Sequence, residues 1–190
     1  MKPMSKAYFL AWIFGPQVIA GVLAVIGIIV ANIAGDRSGP DPAAFLVFLL
    51  LALISSIVGV VFACKLLYRL WTVIQGEDAR TTPGKAVGFC FIPLFNFYWL
   101  FQAYRGWTLD YNKLVKRRGL NLPPAPEQIG LWYSICVCGQ LIPCVNYLAG
   151  PAALVMYILF ICKAIDSANA LLAAQDGTPK AVTGQSDVIA

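Results

Sequence analysis

The sequence predicts an all-α integral membrane protein with almost no soluble domain attached. Of the 190 residues, 59% are hydrophobic and 12% are charged, whereas a soluble domain carries about a quarter charged residues. Two stretches, Tyr8 to Ala34 and Ala43 to Cys64, contain no charged residue. Each is longer than the roughly 20 residues that cross a hydrocarbon core about 30 Å thick. We therefore expect two long transmembrane helices.

The first predicted span covers residues 8–34 and the second covers residues 43–75. Lys2 and Lys6 precede the first span, as they would in a cleaved signal peptide. The apolar run is much longer than the roughly 7–15 residues of a signal peptide, and no clear cleavage pattern follows it, so we expect a retained span. The turn-forming residues at 35–42 predict a short hydrophilic loop between the two spans.

A third segment, residues 86–118, is predicted to be re-entrant or strongly kinked because it is broken at 93–96. Pro93 lacks a backbone donor and clashes with the preceding turn, so a helix bends or breaks there. Asn96 follows the break, and an asparagine side chain is a favoured cap for the start of a helix. We expect Asn96 to cap the helix that begins here.

The Ile-Pro-x-x-Asn pattern of residues 92–96 recurs with Pro143 and Asn146. A second break there, again with asparagine as the cap, gives a C-terminal helical hairpin with spans at 129–142 and 150–174. Paired breaks in membrane helices are the usual indication of a transport site. The candidate pore-lining residues are therefore Pro93, Asn96, Pro143 and Asn146.

We expect one helical membrane domain over residues 1–175 and a disordered polar tail over 176–190. The cations predict the orientation of that domain. If the chain turns back at Pro93, every Lys and Arg except Arg37 lies on one side, which the positive-inside rule identifies as the cytoplasm. Both termini are then cytoplasmic. The formal net charge of +5 fits contact with anionic lipid headgroups rather than with nucleic acid.

Small residues recur at every fourth position of the two long spans, where they let helix backbones approach closely in lipid. They are Gly27, Ala31 and Gly35 on the first span and Ser55, Gly59 and Ala63 on the second. This pattern predicts packing between the two spans or, alternatively, a seam between copies of the chain. Cations near helix ends are candidate contacts for an anion or a lipid headgroup. Alternatively, they snorkel to the interface, or Lys65 and Arg69 pair internally with Asp110 or Asp166. These cations are Lys65, Arg69, Arg105 and Lys163.

The chain contains no histidine, which excludes Ser-His-Asp and Cys-His catalysis and any histidine-ligated metal or haem. The six cysteines show no Cys-x-x-Cys spacing and lie within or beside apolar segments, where we expect them to fill space. The sequence has no phosphate-binding glycine loop either. We expect no catalytic residue, cofactor or metal. The remaining enzyme hypothesis is a lipid-active site that uses Asp110 or Asp166.

Residues Thr82 to Phe89 read Thr-Pro-Gly-Lys-Ala-Val-Gly-Phe, and Phe91 to Trp99 read Phe-Ile-Pro-Leu-Phe-Asn-Phe-Tyr-Trp. These stretches resemble the signature of an uncharacterised family of small multi-spanning bacterial inner-membrane proteins. The later Ile-Pro-x-x-Asn hairpin is similar to the C-terminal part of the same proteins, so the resemblance extends over Thr82 to Leu172. It implies a bacterial cytoplasmic membrane and brings no assigned activity or functional residue.

These features predict a non-enzymatic membrane module that acts through assembly, either with itself or with a partner membrane protein. The alternative is a small oligomeric pore or transporter that uses the two Ile-Pro-x-x-Asn breaks.

Overall fold

The computed structural model describes residues 1–34, 42–76, 79–175 and 177. Every regular element within them is helical. The helices are α1 (Lys6–Ala34), α2 (Pro42–Val73), α3 (Pro83–Gly88), α4 (Phe95–Leu100), α5 (Gly106–Arg117), α6 (Glu127–Gly139) and α7 (Pro143–Gln175). A 3-10 turn, Phe89–Phe91, follows α3, and a π-helical turn, Phe101–Arg105, joins α4 to α5.

Three of these helices are long and apolar enough to cross a membrane, namely α1 from Lys6 to Ile33, α2 from Phe45 to Val73, and α7. The prediction of an all-α chain is confirmed, and α7 joins the two long predicted spans as a third helix of sufficient length. The loop predicted between the first two spans, at 35–42, lies outside the described residues except for Pro42, which begins α2. So does the predicted tail at 176–190, apart from Gly177.

The chain divides into two compact units, where the sequence predicts one membrane domain over residues 1–175. The apolar unit, Ser5–Arg69, consists of α1 and most of α2. The packed unit joins Met1–Met4 to the chain from Leu70 onward. The division falls inside α2 because the last turns of that helix take part in the core of the packed unit.

In the apolar unit, α1 and α2 approach each other closely at two glycines. A Cβ atom added to Gly59 would lie 2.5 Å from Gln17 Nε2 and 2.8 Å from the carbonyl oxygen of Ile13. A Cβ atom added to Gly27 would lie 2.5 Å from Phe48 Cβ. Both distances are shorter than a side chain permits, so these contacts depend on glycine.

A hydrogen bond lies in the same contact between α1 and α2. Ser55 Oγ donates to the carbonyl oxygen of Pro16, a residue inside α1, at 2.7 Å. Among the other small residues, Ala31 is 2% exposed and Ala63 is half-buried. Gly35 lies outside the described residues.

Bulky side chains on α5, α7 and the end of α2 form the core of the packed unit. Trp107 is fully buried, and its indole Nε1 donates to the carbonyl oxygen of Leu70 at 2.8 Å. Trp71 is also fully buried and donates to the carbonyl oxygen of Ala103 at 3.1 Å. The other large core side chains are Tyr111, Phe160, Ile161, Ile165 and Leu171. Both indole donors are therefore satisfied inside a dense apolar core.

The helix bounds in the last apolar stretch, residues 129–174, differ from the predicted ones. The sequence predicts a break that ends near residue 150, but α7 begins at Pro143 and continues to Gln175. Proline fits the first helical position because the amide hydrogen that it lacks has no helical partner there. Pro151 lies inside α7. It removes only the donor for the carbonyl of Tyr147, a loss that membrane helices tolerate.

Candidate functional site

The first proline turn, residues 92–94, separates α3 from α4 and reverses the chain. Trp99 Nε1 on α4 donates a hydrogen bond to the carbonyl oxygen of Ala86 on α3 at 3.0 Å. The rings of Phe89 and Trp99 lie 4.8 Å apart in an edge-to-face arrangement. These contacts close a short helical hairpin around the proline.

Leu94, at the tip of this hairpin, combines a strained backbone with an exposed apolar side chain. Its φ is +64°, a conformation that costs a residue other than glycine of order 1–3 kcal/mol. Its side chain is 83% exposed. Phe91 and Ile92 beside it are 65% and 44% exposed. The turn therefore presents a purely apolar tip.

Asn96 does not cap α4, so this prediction is wrong. The helix begins at Phe95, and Leu94 therefore occupies the capping position, from which it makes no side-chain hydrogen bond. Asn96 Oδ1 is buried and has no hydrogen-bond partner among the described residues. A buried acceptor without a donor costs about 1–3 kcal/mol, so this oxygen destabilises the turn.

The second proline turn, residues 140–142, directly precedes Pro143 and joins α6 to α7. Asn146 lies inside α7 and its side chain is exposed, so it does not cap this helix either. A Cβ atom added to Gly139 would meet Ala149 Cβ at 3.4 Å, which places the two arms in contact at the turn. Leu141 and Ile142, within this turn, are 62% and 55% exposed. This turn also exposes apolar residues.

The two proline hairpins lie beside each other within the packed unit. Cys138 Sγ on α6 lies 4.0 Å from the carbonyl oxygen of Phe97 on α4. Three tyrosines extend the contact, because Tyr133 meets Tyr104 edge to face at 4.8 Å and stacks on Tyr157 at 4.9 Å. The structure thus brings the two Ile-Pro-x-x-Asn segments into one region.

An arginine–aspartate cluster, formed by Arg80, Gln102 and Asp110, lies at α5. Arg80 Nη2 and Nε lie 2.7 and 3.0 Å from Asp110 Oδ1, and the Arg80 backbone N–H donates to Oδ2 at 3.0 Å. Arg80 Nη1 donates to Gln102 Oε1 at 3.1 Å. Asp110 is 5% exposed, and a buried carboxylate requires such a paired and hydrogen-bonded partner.

The π-helical turn carries a second ion pair. Arg105 Nη2 lies 3.1 Å from Glu127 Oε1, and both side chains are more than one-third exposed. A Cβ atom added to Gly130 on α6 would lie 3.3 Å from Arg105 Cα, so α6 packs directly on the backbone of this turn. Arg105 Nε is buried and has no partner within the described part of the chain. Single π-helical turns are frequent at functional sites.

Two polar side chains on α5 fasten it to its neighbours. Tyr111 Oη donates to the carbonyl oxygen of Ser167 on α7 at 2.9 Å. Since α5 lies outside the three candidate spans, burial raises the pKa of Tyr111 to about 12, and the phenol remains a donor at neutral pH. Asn112 Oδ1 accepts from the Ala125 backbone N–H at 2.7 Å and thereby holds the proline-rich linker against α5.

The cations predicted to contact anions are found in different surroundings. Lys65 Nζ lies 5.6 and 5.4 Å from the ring centroids of Tyr8 and Phe62 and 3.4 Å from Tyr8 Oη. Arg69 is half-buried and Lys163 is exposed. Arg105 has Glu127 as its partner.

Sequence reasoning missed the partner of Asp110. Arg80 engages this carboxylate, whereas the sequence offered Lys65 and Arg69. Arg80 lies in a polar link between apolar segments, and nothing in its neighbourhood in the sequence distinguishes it from other surface cations. The only available signal was its opposite charge.

Internal ion pairs and aromatic contacts beside two apolar tips make up this candidate site. Within the described ranges, no group of three or more His, Cys, Asp or Glu side chains is placed to hold a metal ion. Asp110 and Glu127 each face an arginine. Compared with known proteins, the chain matches no family model, no curated protein and no solved structure.

Proposed function

We propose that this chain is a non-enzymatic integral membrane module that acts through assembly, with a second copy or with a partner membrane protein. The exposed carboxamide of Asn146 is the observation that carries the proposal. It lies in a stretch, residues 129–162, without a charged residue. It also lies on α7, which is long and apolar enough to cross a membrane. An amide that faces hydrocarbon costs free energy until another group bonds to it.

A second membrane helix would supply such a group. Interhelical hydrogen bonds contribute about 1–2 kcal/mol in model membrane helices, and one carboxamide can pair with another because it both donates and accepts. Gly150 lies one turn further along α7. The nearest atom to a Cβ added there is Asn146 Oδ1 at 3.9 Å. The Asn146 face of α7 therefore has room for a neighbouring backbone.

The carboxylates of the candidate site support a structural role rather than catalysis. Asp110 accepts hydrogen bonds from the Arg80 side chain and backbone, and Glu127 accepts one from Arg105. Both carboxylates thus join separate segments of the packed unit. The hypothesis of a lipid-active enzyme gains no support from Asp110.

We further propose a bacterial cytoplasmic membrane, with both proline hairpins entering and leaving on the cytoplasmic side. Insertion of the first tip is supported by Leu94, because exposure of this side chain to water would add to the cost of its strained backbone, whereas hydrocarbon would cover it. The cytoplasmic side follows from the cations. The bacterial setting depends on the resemblance of residues 82–99 alone.

Contacts of Met4 support the proposal that both termini lie on this same side. The Met4 backbone N–H donates to Asn169 Oδ1 at 2.7 Å, and Asn169 Nδ2 donates to the Met4 carbonyl oxygen at 2.8 Å. Asn169 follows Lys163, the first charged residue after the apolar part of α7. The N-terminus is thus held beside the polar end of the last helix.

A small oligomeric pore or transporter is the second candidate, and Asn96 favours it. Its buried Oδ1 lacks a donor among the residues described, and water or a passing solute in a polar path would supply one. Liposome flux that is present in the wild type and lost in Asn96→Leu/Asn146→Leu would support the pore. Absence of flux in wild-type liposomes would exclude it.

Substitution of Asn146 tests the proposed assembly. Asn146→Leu removes the exposed amide, so we expect the dissociation constant of the assembly to rise about fivefold, which corresponds to about 1 kcal/mol. The measurement is the mass of the particle in mild detergent, by light scattering over a dilution series, together with the amount of any co-purifying protein.

Asn32→Leu is the matched control, because Asn32 Nδ2 already donates to the carbonyl oxygen of Ile28 in its own helix at 2.7 Å. The assembly should withstand this substitution. A wild-type particle that is strictly monomeric and free of partners would contradict the proposed function.

A further inference from the structure

We infer that Lys65 and Tyr8 form a binding site for the phosphate group of an anionic lipid. Lys65 lies on α2 and Tyr8 lies on α1, and both side chains are exposed. Both residues belong to the apolar unit, whereas Asn146 belongs to the packed unit. The inference shares the membrane setting of the proposed function but does not depend on its assembly. The two proposals can therefore fail separately.

The ammonium group of Lys65 is positioned by neutral partners. Its Nζ donates a hydrogen bond to Tyr8 Oη at 3.4 Å. It also lies 5.6 and 5.4 Å from the ring centroids of Tyr8 and Phe62, within the range of cation–π attraction. These contacts hold the ammonium between α1 and α2. None of the three partners is charged, so they leave the positive charge of Lys65 without compensation.

The same arrangement leaves hydrogen-bond donors for an anion. An ammonium group has three N–H donors, and the bond to Tyr8 uses one of them. Since Tyr8 Oη accepts this bond, the phenol can donate its own hydrogen to a further group. The two donor atoms are 3.4 Å apart, so two oxygens of one phosphate can accept from both. A hydrogen bond between a charged donor and phosphate is about twice as strong as a neutral one.

Both helices change from charged to uncharged sequence beside this site. Residues 7–35, which follow Lys6, contain no charged residue, and neither do residues 42–64, which precede Lys65. The hydrogen bond between Lys65 and Tyr8 brings these two changes together. Both helices are long and apolar enough to cross a membrane. A cation placed where two such helices become uncharged is expected to attract anionic lipid headgroups.

Aromatic rings extend the site along the uncharged part of the helices. Trp12, one turn after Tyr8, stacks on Phe62 with ring centroids 4.8 Å apart and an interplanar angle of 18°. Trp12 nevertheless remains 46% exposed. Tryptophan and tyrosine are enriched at the level of lipid headgroups, where their apolar rings and polar tips both find partners. A lipid gains apolar contact with Trp12, whereas a free phosphate or a protein carboxylate does not.

The headgroup preference of the intact protein tests this inference. In nonionic detergent micelles, energy transfer from tryptophan to a lipid with a dansyl-labelled acyl chain gives the Kd of that lipid as a mole fraction. The wild type should bind phosphatidylglycerol about fivefold more tightly than phosphatidylcholine. Lys65→Gln should abolish this preference, and Lys65→Arg should retain it because the charge is kept. Tyr8→Phe keeps the ring but loses the phenol, so the preference should fall about twofold.

Lys163→Gln is the matched control. It removes the same charge from an exposed lysine on α7, another helix long and apolar enough to cross a membrane. The preference for phosphatidylglycerol should withstand this substitution. Asn146→Leu should leave the preference unchanged as well, which separates the lipid site from the proposed assembly.

Three results would overturn the inference. A wild type without headgroup preference, or equal losses in Lys65→Gln and Lys163→Gln, would show that Lys65 forms no specific site. Displacement of labelled phosphatidylglycerol by sodium phosphate, but not by sodium chloride of equal ionic strength, would assign the site to free phosphate. Displacement by a decaglutamate peptide that depends on Lys65 would assign it to protein carboxylates.

Discussion

The apolar unit and the packed unit bury their side chains in opposite ways. In the apolar unit, 22% of the residues in the most apolar 18-residue stretch of α1 are buried, and 11% of the residues in the corresponding stretch of α2. The two helices meet at glycines such as Gly59. In the packed unit, Trp107 and Tyr111 are fully buried and make hydrogen bonds to neighbouring helices. The same chain therefore uses close backbone approach in one unit and a dense aromatic core in the other.

Lipid and water favour different modes of helix packing. Lipid tails solvate an apolar side chain as well as another side chain does, so helices in a bilayer gain mainly from close contact of their backbones. Where water surrounds the helices, burial of a large apolar side chain is itself stabilising. The packed unit combines both features, because α7 is long and apolar enough to cross a membrane, whereas Arg80 and Asp110 form a charged pair next to the core.

The largest effect is expected at the core of the packed unit. Trp107→Ala removes a fully buried indole and its hydrogen bond to Leu70, so the free energy of unfolding should fall by about 3–5 kcal/mol. Circular dichroism during titration of mixed micelles with dodecyl sulfate measures this loss. Trp132→Ala removes a tryptophan that is 52% exposed and should cost less than about 1 kcal/mol. Equal losses would show that burial of Trp107 does not stabilise the core of the packed unit.

A smaller effect is expected at the arginine–aspartate cluster. Asp110→Asn leaves Arg80 without its opposite charge, and the free energy of unfolding should fall by about 2–3 kcal/mol, since Arg80 remains partly exposed. Glu127→Gln acts on a pair in which both side chains are more than one-third exposed and should cost less than about 1 kcal/mol. The same titration compares them, and a larger loss in Glu127→Gln would contradict the structural role of the cluster.

The smallest effect is expected in the apolar unit. In Gly59→Ala the new Cβ would meet Gln17 and the carbonyl of Ile13, so α1 and α2 must separate slightly, at a cost of about 1–2 kcal/mol. Gly21→Ala is the control, because no atom of the described residues lies within 4 Å of a Cβ at that position. If both alanine variants unfold like the wild type, close backbone approach does not stabilise this unit.

The sequence predicted the bounds of the first two long helices to within two residues. The predicted spans at 8–34 and 43–75 correspond to α1, which begins at Lys6, and to α2, which ends at Val73. An uncharged run of this length has few alternatives, because in lipid the backbone must satisfy its own hydrogen bonds. The start of α7 was harder to predict, since Pro143 reads as a helix breaker and only the structure places it at the first helical position.

Composition and the order of apolar and charged residues determined by themselves that this chain forms membrane-length helices, and where two of them lie. The tertiary structure decided which distant residues meet: Arg80 with Asp110, Trp107 with Leu70, and Gly130 with the backbone of Arg105. Such contacts join positions separated by tens of residues, so their energies depend on geometry that no local pattern encodes. For the same reason, the buried oxygen of Asn96, which has no hydrogen-bond partner within the described ranges, became visible only in the folded chain.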